Sequence, residues 1–415
     1  MSIPRFAQSF APRPSSHDRW GAVRLAFQLL LVAVFVLGCS ASAGATPSPL
    51  GTQGEGVASS GQLLYVCNQD DASVAIIDLE TMEVLRTVDL QAMGFSENAR
   101  PHHIAVEPDG SYWYVSLIGE GVVAKIDRND ELVGTVPFET PGMLTLDAAN
   151  DRLYVARSMT AVNPPRRIGE IRPSDMTIEE IDIFFPRPHA LVMNRETRVV
   201  YTASLGVNQI AAVDPQTERA ILTDVDGPPH ALMQFAISPD GSKLAISGEI
   251  SHTMHLFDIS DDPLEPRHMG AVDVGIQPFD PIFSPNGNRV WFGNKAENTI
   301  MAVDVEAMEV VTVLDDDRIR EPHGAVTTAD GRWIIISNSN VREGHTLMLA
   351  EQMDHADHGD HGDHADHAMM DHAAAPDERI VGGLGNVAFI DAHTGELVTV
   401  IELGQNVTGI ALGPR

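Results

Sequence analysis

A single pattern returns about every 40 to 50 residues from residue 62 to the end of this 415-residue chain. Its clearest copy runs Leu64-Tyr65-Val66-Cys67-Asn68, then Ser73-Val74-Ala75-Ile76-Ile77-Asp78, then Val84-Leu85-Arg86-Thr87-Val88. Short β-branched runs bounded by turn residues are strand signals, and repetition at this period is the signature of radially arranged sheets. The same grammar recurs at Trp113-Tyr114-Val115 with Val122–Asp127, and at Val200-Tyr201-Thr202 with Gln209–Asp214. It returns at Leu244-Ala245-Ile246 with His255–Asp258, at Val290-Trp291-Phe292 with Ile300–Asp304, and at Ile334-Ile335-Ile336 with Val387–Asp391. The copy opening with Leu153-Tyr154-Val155 is the most degraded.

A further strand precedes most copies and ends in a Gly-bearing turn, as in Ile104-Ala105-Val106 before Pro108-Asp109-Gly110 and Phe235-Ala236-Ile237 before Pro239-Asp240-Gly241. Such turns reverse a strand tightly. Each unit therefore has four strands. Inner strands begin near residues 102, 142, 189, 233, 279, 323 and 408. The last of these has no strands after it, and the first copy has no inner strand before it. Pairing the two would remove both bare edges. The expected fold is all-β: a seven-bladed β-propeller of four-stranded antiparallel blades over residues 62–415, closed by pairing of the C-terminal strand with the first blade. Amphipathic helical periodicity is missing, which excludes helical and doubly wound alternatives.

Tyr65-Val66-Cys67-Asn68 followed by Ser73–Asp78 resembles the YVTN-repeat β-propeller family, with Cys at the third motif position as a departure. The resemblance covers nearly all of residues 62–415. It implies the propeller fold; for function it implies only the range of scaffold and binding roles that such exported propellers play.

The N-terminus reads as an export signal over residues 1–39. Arg19 and Arg24 precede an apolar run from Leu25 to Gly38, too short for a comfortable membrane span. The run ends in Val36-Leu37-Gly38-Cys39, which resembles a bacterial lipobox and implies lipidation at Cys39. Ala43-Gly44-Ala45 offers a competing site for ordinary secretion. Residues 40–61, rich in Ser, Gly, Ala, Thr and Pro, read as a flexible tether. With Cys39 lipidated, Cys67 has no partner for an internal disulfide. The expected location is extracytoplasmic, held to a membrane by a lipid anchor only. A net charge of −31 repels phosphate backbones, so nucleic acid is not an expected partner. The same charge attracts cations and equally suits a salty medium.

Seven of the 17 histidines lie between His345 and His372. Inside an insertion at 341–382, His355, His358, His361, His364 and His367 recur every third residue with Asp357, Asp360 and Asp363 between them, and His372 follows. Met353, Met369 and Met370 flank the run. Neutral imidazole suits copper and zinc, carboxylate adds oxygen donors, and thioether favours Cu(I). The segment is too polar to form a core, and the overlapping ligand sets predict several weak to moderate sites. An incidental solvated insertion is the competing reading.

A second set sits at the starts of inner strands: Pro101-His102-His103, Pro188-His189, Pro229-His230 and Pro322-His323. His230 falls three residues early in the strand register. Inner strands line a propeller's channel, so these imidazoles are candidates for one metal or ligand site at its mouth. The alternative is that they satisfy backbone groups and channel waters. Strand counting puts the insertion on the same face.

Together these features point to an envelope protein that binds copper or zinc as chaperone, sensor or buffer. One alternative is an interaction scaffold with an envelope protein partner and an incidental His tract. Another is a metal-dependent oxidoreductase with a His-ligated centre at the channel mouth. The chain shows no nucleophile elbow, haem-attachment motif or phosphate loop, so binding is favoured over catalysis.

Overall fold

A computed structural model of the chain describes residues 61–217, 219–341 and 383–415. The expected leader with Cys39, the tether to residue 60, and His355, His358, His361, His364, His367, His372, Asp357, Asp360 and Asp363 lie outside the described residues.

Seven four-stranded antiparallel sheets follow one another around a ring. The first blade is built from β1 (Gln62–Asn68), β2 (Ser73–Asp78), β3 (Glu83–Asp89) and, from the far end of the chain, β28 (Val407–Pro414). The others are β4–β7 (residues 101–137), β8–β11 (141–182), β12–β15 (188–224), β16–β19 (232–273), β20–β23 (282–315) and β24–β27 (322–405). The expected closure is present: Leu64 pairs with Leu412, Tyr65 with Ala411 and Val66 with Ile410. Helical geometry among the described residues is limited to short 3-10 turns.

Burial along a blade explains the residue choice. The middle strands are covered on both faces by neighbouring blades, so β2 (SVAIID) is buried at every position. The outer strand β23 (Glu309–Asp315) alternates exposed and half-buried residues because one face meets solvent. The core therefore lies between blades. Tyr201, Ile210 and Ala212 of the fourth blade, for example, pack with Leu244, Ile246 and Phe257 of the fifth. Each such fully buried large apolar side chain is worth about 1.5–3 kcal/mol.

One backbone device is repeated at every inner strand. Arg100, Thr140, Arg187, Ala231, Gln277, Glu321 and Asn406 each precede an inner strand and each has φ between 48° and 60°. The carbonyl of each accepts a hydrogen bond from the loop that follows the second strand: Ile118, Ser158, Leu205, Glu249, Lys295, Ser339 and Gln69 are the donors. None of the seven is glycine, so the left-handed geometry is held against its cost by this bond. The device ties the start of each inner strand to the loop between strands two and three, at one rim of the ring.

Candidate functional site

Register defines the channel mouth. The paired positions Pro101↔Leu117, Pro141↔Arg157, Pro188↔Ser204, Leu232↔Gly248, Pro278↔Asn294, Pro322↔Asn338 and Val407↔Asn68 are equivalent around the ring. The residue after each forms a layer of seven: His102, Gly142, His189, Met233, Phe279, His323 and Thr408. In β4, β8, β12, β16 and β24 the ladder is interrupted directly after the paired position. Such a bulge re-aims side chains next to functional sites.

The structure brings together four of the five candidate histidines outside the insertion. The His102 and His323 rings stand edge to face with centroids 5.5 Å apart, and His323 also packs on Phe279 at 5.0 Å. His103 and His189 complete an electrostatically coupled group with Lys295. The Lys295 ammonium lies 4.7 Å from the Phe279 ring centroid. Burial, reinforced by neighbouring cations and imidazolium charge, holds His102 and His323 well below the ordinary imidazole range. Burial lowers His103 and His189 to about 4. All four rings are therefore neutral at pH 7, the form that ligates metals.

Hydrogen bonds set the tautomers. His102 Nδ1–H donates to Gln69 Oε1 at 3.1 Å, and His189 Nδ1–H donates to the Arg157 carbonyl at 2.8 Å. Both rings then present an Nε2 lone pair. His103 is the reverse: its Nδ1 accepts from the Leu144 N–H at 3.3 Å, which puts its proton on Nε2. His323 Nδ1 is buried without a partner. Acceptors behind the ring that fix its orientation are the usual support of a metal-binding imidazole.

Two site residues were not evident from the sequence. Asp280 follows Phe279 as His103 follows His102, and it is buried; burial raises its carboxyl to about 7, with Lys295 pulling the other way. Aligning Pro278-Phe279-Asp280 with Pro101-His102-His103 would have found it. Lys295 follows Asn294, the residue opposite Pro278, and is visible only once the strands are paired.

His230 belongs elsewhere. Leu232 occupies the proline position and Met233 the histidine position, which accounts for the three-residue offset. The His230 ring packs instead on His255 of β18 (Thr253–Asp258), with centroids 4.4 Å apart. His255 Nδ1 in turn lies 3.2 Å from Nε2 of His268 on β19 (Arg267–Asp273). No spacing or proline marks His255 or His268 in the sequence.

The flanks of the His-rich insertion leave from this same rim. Asn338 at the end of β25 (Trp333–Asn338) pairs with Pro322 on one side and Asn386 on the other. Ser339 N–H donates to the Glu321 carbonyl at 3.0 Å, Asn340 N–H to the Arg320 carbonyl at 3.2 Å, and Val341 N–H to the Glu321 carboxylate. Asn340 Nδ2 reaches across to the Leu384 carbonyl at 2.8 Å. Glu321 is two residues from His323, so the insertion starts beside the channel-mouth histidines.

Among the described residues, no three His, Cys, Asp or Glu side chains already surround a common point at which a metal would be held. The described imidazoles are an array of donors, and a metal centre would need further ligands or ring rotation.

No protein-family model matches the chain, and no curated protein matches it. Solved structures do. A streptogramin B lyase is 14% identical with a TM-score of 0.56, over 66% of this chain and 86% of that one. A candidate 6-phosphogluconolactonase from Bacteroides fragilis is 13% identical with a TM-score of 0.59, over 86% of this chain and 99% of that one. The dihydro-heme d1 dehydrogenase NirN is 13% identical with a TM-score of 0.52, over 84% of this chain and 74% of that one. The likeness is one of fold. The three are named for different activities, and a shared fold does not fix function.

Proposed function

We propose that this is an exported, lipid-anchored propeller of the YVTN-repeat kind that binds copper or zinc in the cell envelope, as a chaperone, sensor or buffer. The His/Asp/Met segment collects the ion, and the channel-mouth imidazoles receive it. The observation that carries this reading is positional. Neutral, buried imidazoles, two of them with Nε2 left open by Gln69 and the Arg157 carbonyl, lie beside the stem from which the segment departs. Metal passing between the two sets would stay on one rim.

Titration of tag-free protein with Zn²⁺ and with Cu⁺ tests it. Several equivalents should bind, and the melting temperature should rise, since a ligand at 100 times its Kd adds about 2.7 kcal/mol to native stability. Replacing the seven histidines of residues 345–372 by Gln should remove most of the capacity. Unchanged stability and no bound metal in the unmodified chain would overturn the reading.

Asp280 favours a second reading, catalysis at the channel mouth. A buried carboxyl raised to about 7, with Lys295 as its charged neighbour, has the properties of a general acid–base. A stoichiometric redox-active centre in purified protein would select this reading, as the oxidoreductase alternative.

A further inference from the structure

We infer that His255, His268 and His230 form a separate site for a divalent transition-metal ion at the seam between the fourth and fifth blades. The site is independent of the segment 345–372 and of the channel mouth.

Its position follows from strand alternation. His255 lies two residues from Phe257, on the face of the fifth blade that packs against Tyr201 and Ile210 of the fourth. A register shift between Leu256 and Phe257, with Gly270 at φ 151°, slides β19 so that His268 stands over that face. The His268 ring is consequently 4.8 Å from Phe257 and 5.3 Å from His255. His230 arrives from the loop before β16, where Asn208 of the fourth blade accepts its backbone N–H at 2.9 Å.

Each ring has one nitrogen held by a neighbouring hydroxyl or backbone group. His255 Nε2 is 2.9 Å from Thr253 Oγ1, and Thr253 Oγ1 is itself 2.6 Å from Ser251 Oγ. His268 is hydrogen-bonded to the Gly270 backbone. His230 Nε2–H donates to the Asp226 carbonyl at 3.1 Å, which leaves Nδ1 buried with no partner. A buried imidazole nitrogen left unpaired is costly, and a cation would satisfy it.

The nitrogens of His255 and His268 that face each other are 3.2 Å apart. Two imidazoles on one tetrahedral zinc, each about 2.05 Å from the ion, have nitrogens about 3.3 Å apart. A single proton now lies between them. An ion takes its place when that proton moves to His255 Nε2, where Thr253 Oγ1 accepts it and the hydroxyl turns its own hydrogen toward Ser251. Net proton count on the pair is unchanged.

His230 must turn its Nδ1 toward the pair to become the third ligand. That turn gives up the bond to the Asp226 carbonyl; Gly227, at φ 128°, accommodates the ring where it now stands, since a Cβ there would come within 3.0 Å of His230 Cε1. His268 is exposed, which gives the ion a path in and leaves the fourth position to water.

The test uses the full chain with the seven histidines of residues 345–372 changed to Gln, titrated with Zn²⁺ by calorimetry and with Co²⁺ by visible absorption. One equivalent should bind with the spectrum of tetrahedral Co²⁺. His268→Ala, at an exposed position, should abolish it. Thr253→Val should weaken binding about 10- to 100-fold by freeing the ring it anchors. No tetrahedral spectrum, or binding indifferent to His268→Ala, would overturn the site. If the unmodified chain binds several equivalents and the Gln-substituted chain none, the seam site fails and the envelope reading stands. If the Gln-substituted chain keeps one His268-dependent equivalent and the unmodified chain binds no more, the reverse holds.

Discussion

His102 and His323 meet edge to face at 5.5 Å although β28 runs between their strands. They can do so because Gly409 of β28 has no side chain: a Cβ there would lie 2.1 Å from the His102 carbonyl oxygen. The channel-mouth pair and the closure of the ring thus depend on the same close backbone approach.

Gly409→Ala is therefore expected to push β28 outward, with a cost of about 1–3 kcal/mol or more. Urea unfolding should show a lower midpoint. Removal of residues 407–415 should go further, because it exposes the edges of β1 and, through loss of the Ser337 and Ser339 bonds to the Thr408 and Val407 carbonyls, loosens the last blade. Gel filtration should then show aggregation. Monomeric, cooperatively folding truncated protein would contradict the closure argument.

Stability should fall on acidification below pH 6.5. His103 and His189 titrate at about 4 in the folded chain, against about 6.5 when unfolded. Between these values the unfolded state binds protons that the folded state refuses. The contribution is complete above pH 6.5 and is lost as pH falls toward 4. For His189, which is 3% exposed, the span is worth about 3 kcal/mol. His189→Asn, which keeps a donor for the Arg157 carbonyl, should flatten the pH dependence of the unfolding midpoint in that window. An unchanged slope would mean the ring is solvated.

Asp280 has the opposite sign. Its folded value of about 7 lies above its ordinary 3.8, so the folded state holds a proton that the unfolded state releases. Its contribution is complete below pH 3.8 and is lost as pH rises through 7. Asp280→Asn should leave stability at pH 4 nearly unchanged and raise it at pH 8, by up to about 4 kcal/mol. Thermal melts at the two pH values check this. Equal melting temperatures at pH 8 would show that Lys295 already compensates the charge.

The fold was legible because its signals are local. The short β-branched and aromatic runs Leu64–Asn68 and Ser73–Asp78, and the Gly turns at Gly110 and Gly241, report strands and reversals without reference to distant residues. Even the closure could be read, from a missing inner strand at one end and a surplus one at the other. The site was legible only in part. His102, His189 and His323 share a register that proline marks. His230 does not, and its true neighbours could not be found by spacing. His268 reaches His255 through a register shift that no sequence period encodes. Asp280 was missed because Phe279 stands where His102, His189 and His323 follow their prolines, so the proline-histidine pattern does not mark that blade.

The tautomers assigned from the hydrogen-bond network can be checked directly, because each nitrogen's protonation has its own 15N shift. At pH 7.5, His102 and His189 should appear with the proton on Nδ1, and His103 with the proton on Nε2. The cause is the partner in each case: Gln69 Oε1 and the Arg157 carbonyl can only accept, whereas the Leu144 N–H can only donate. Gln69→Leu removes the acceptor from His102 alone, so the His102 signal should move toward the Nε2–H form while His189 keeps its own. A His102 ring indifferent to that change would mean that Gln69 does not orient it. The open Nε2 lone pair on which the channel-mouth reading depends would then have no structural cause.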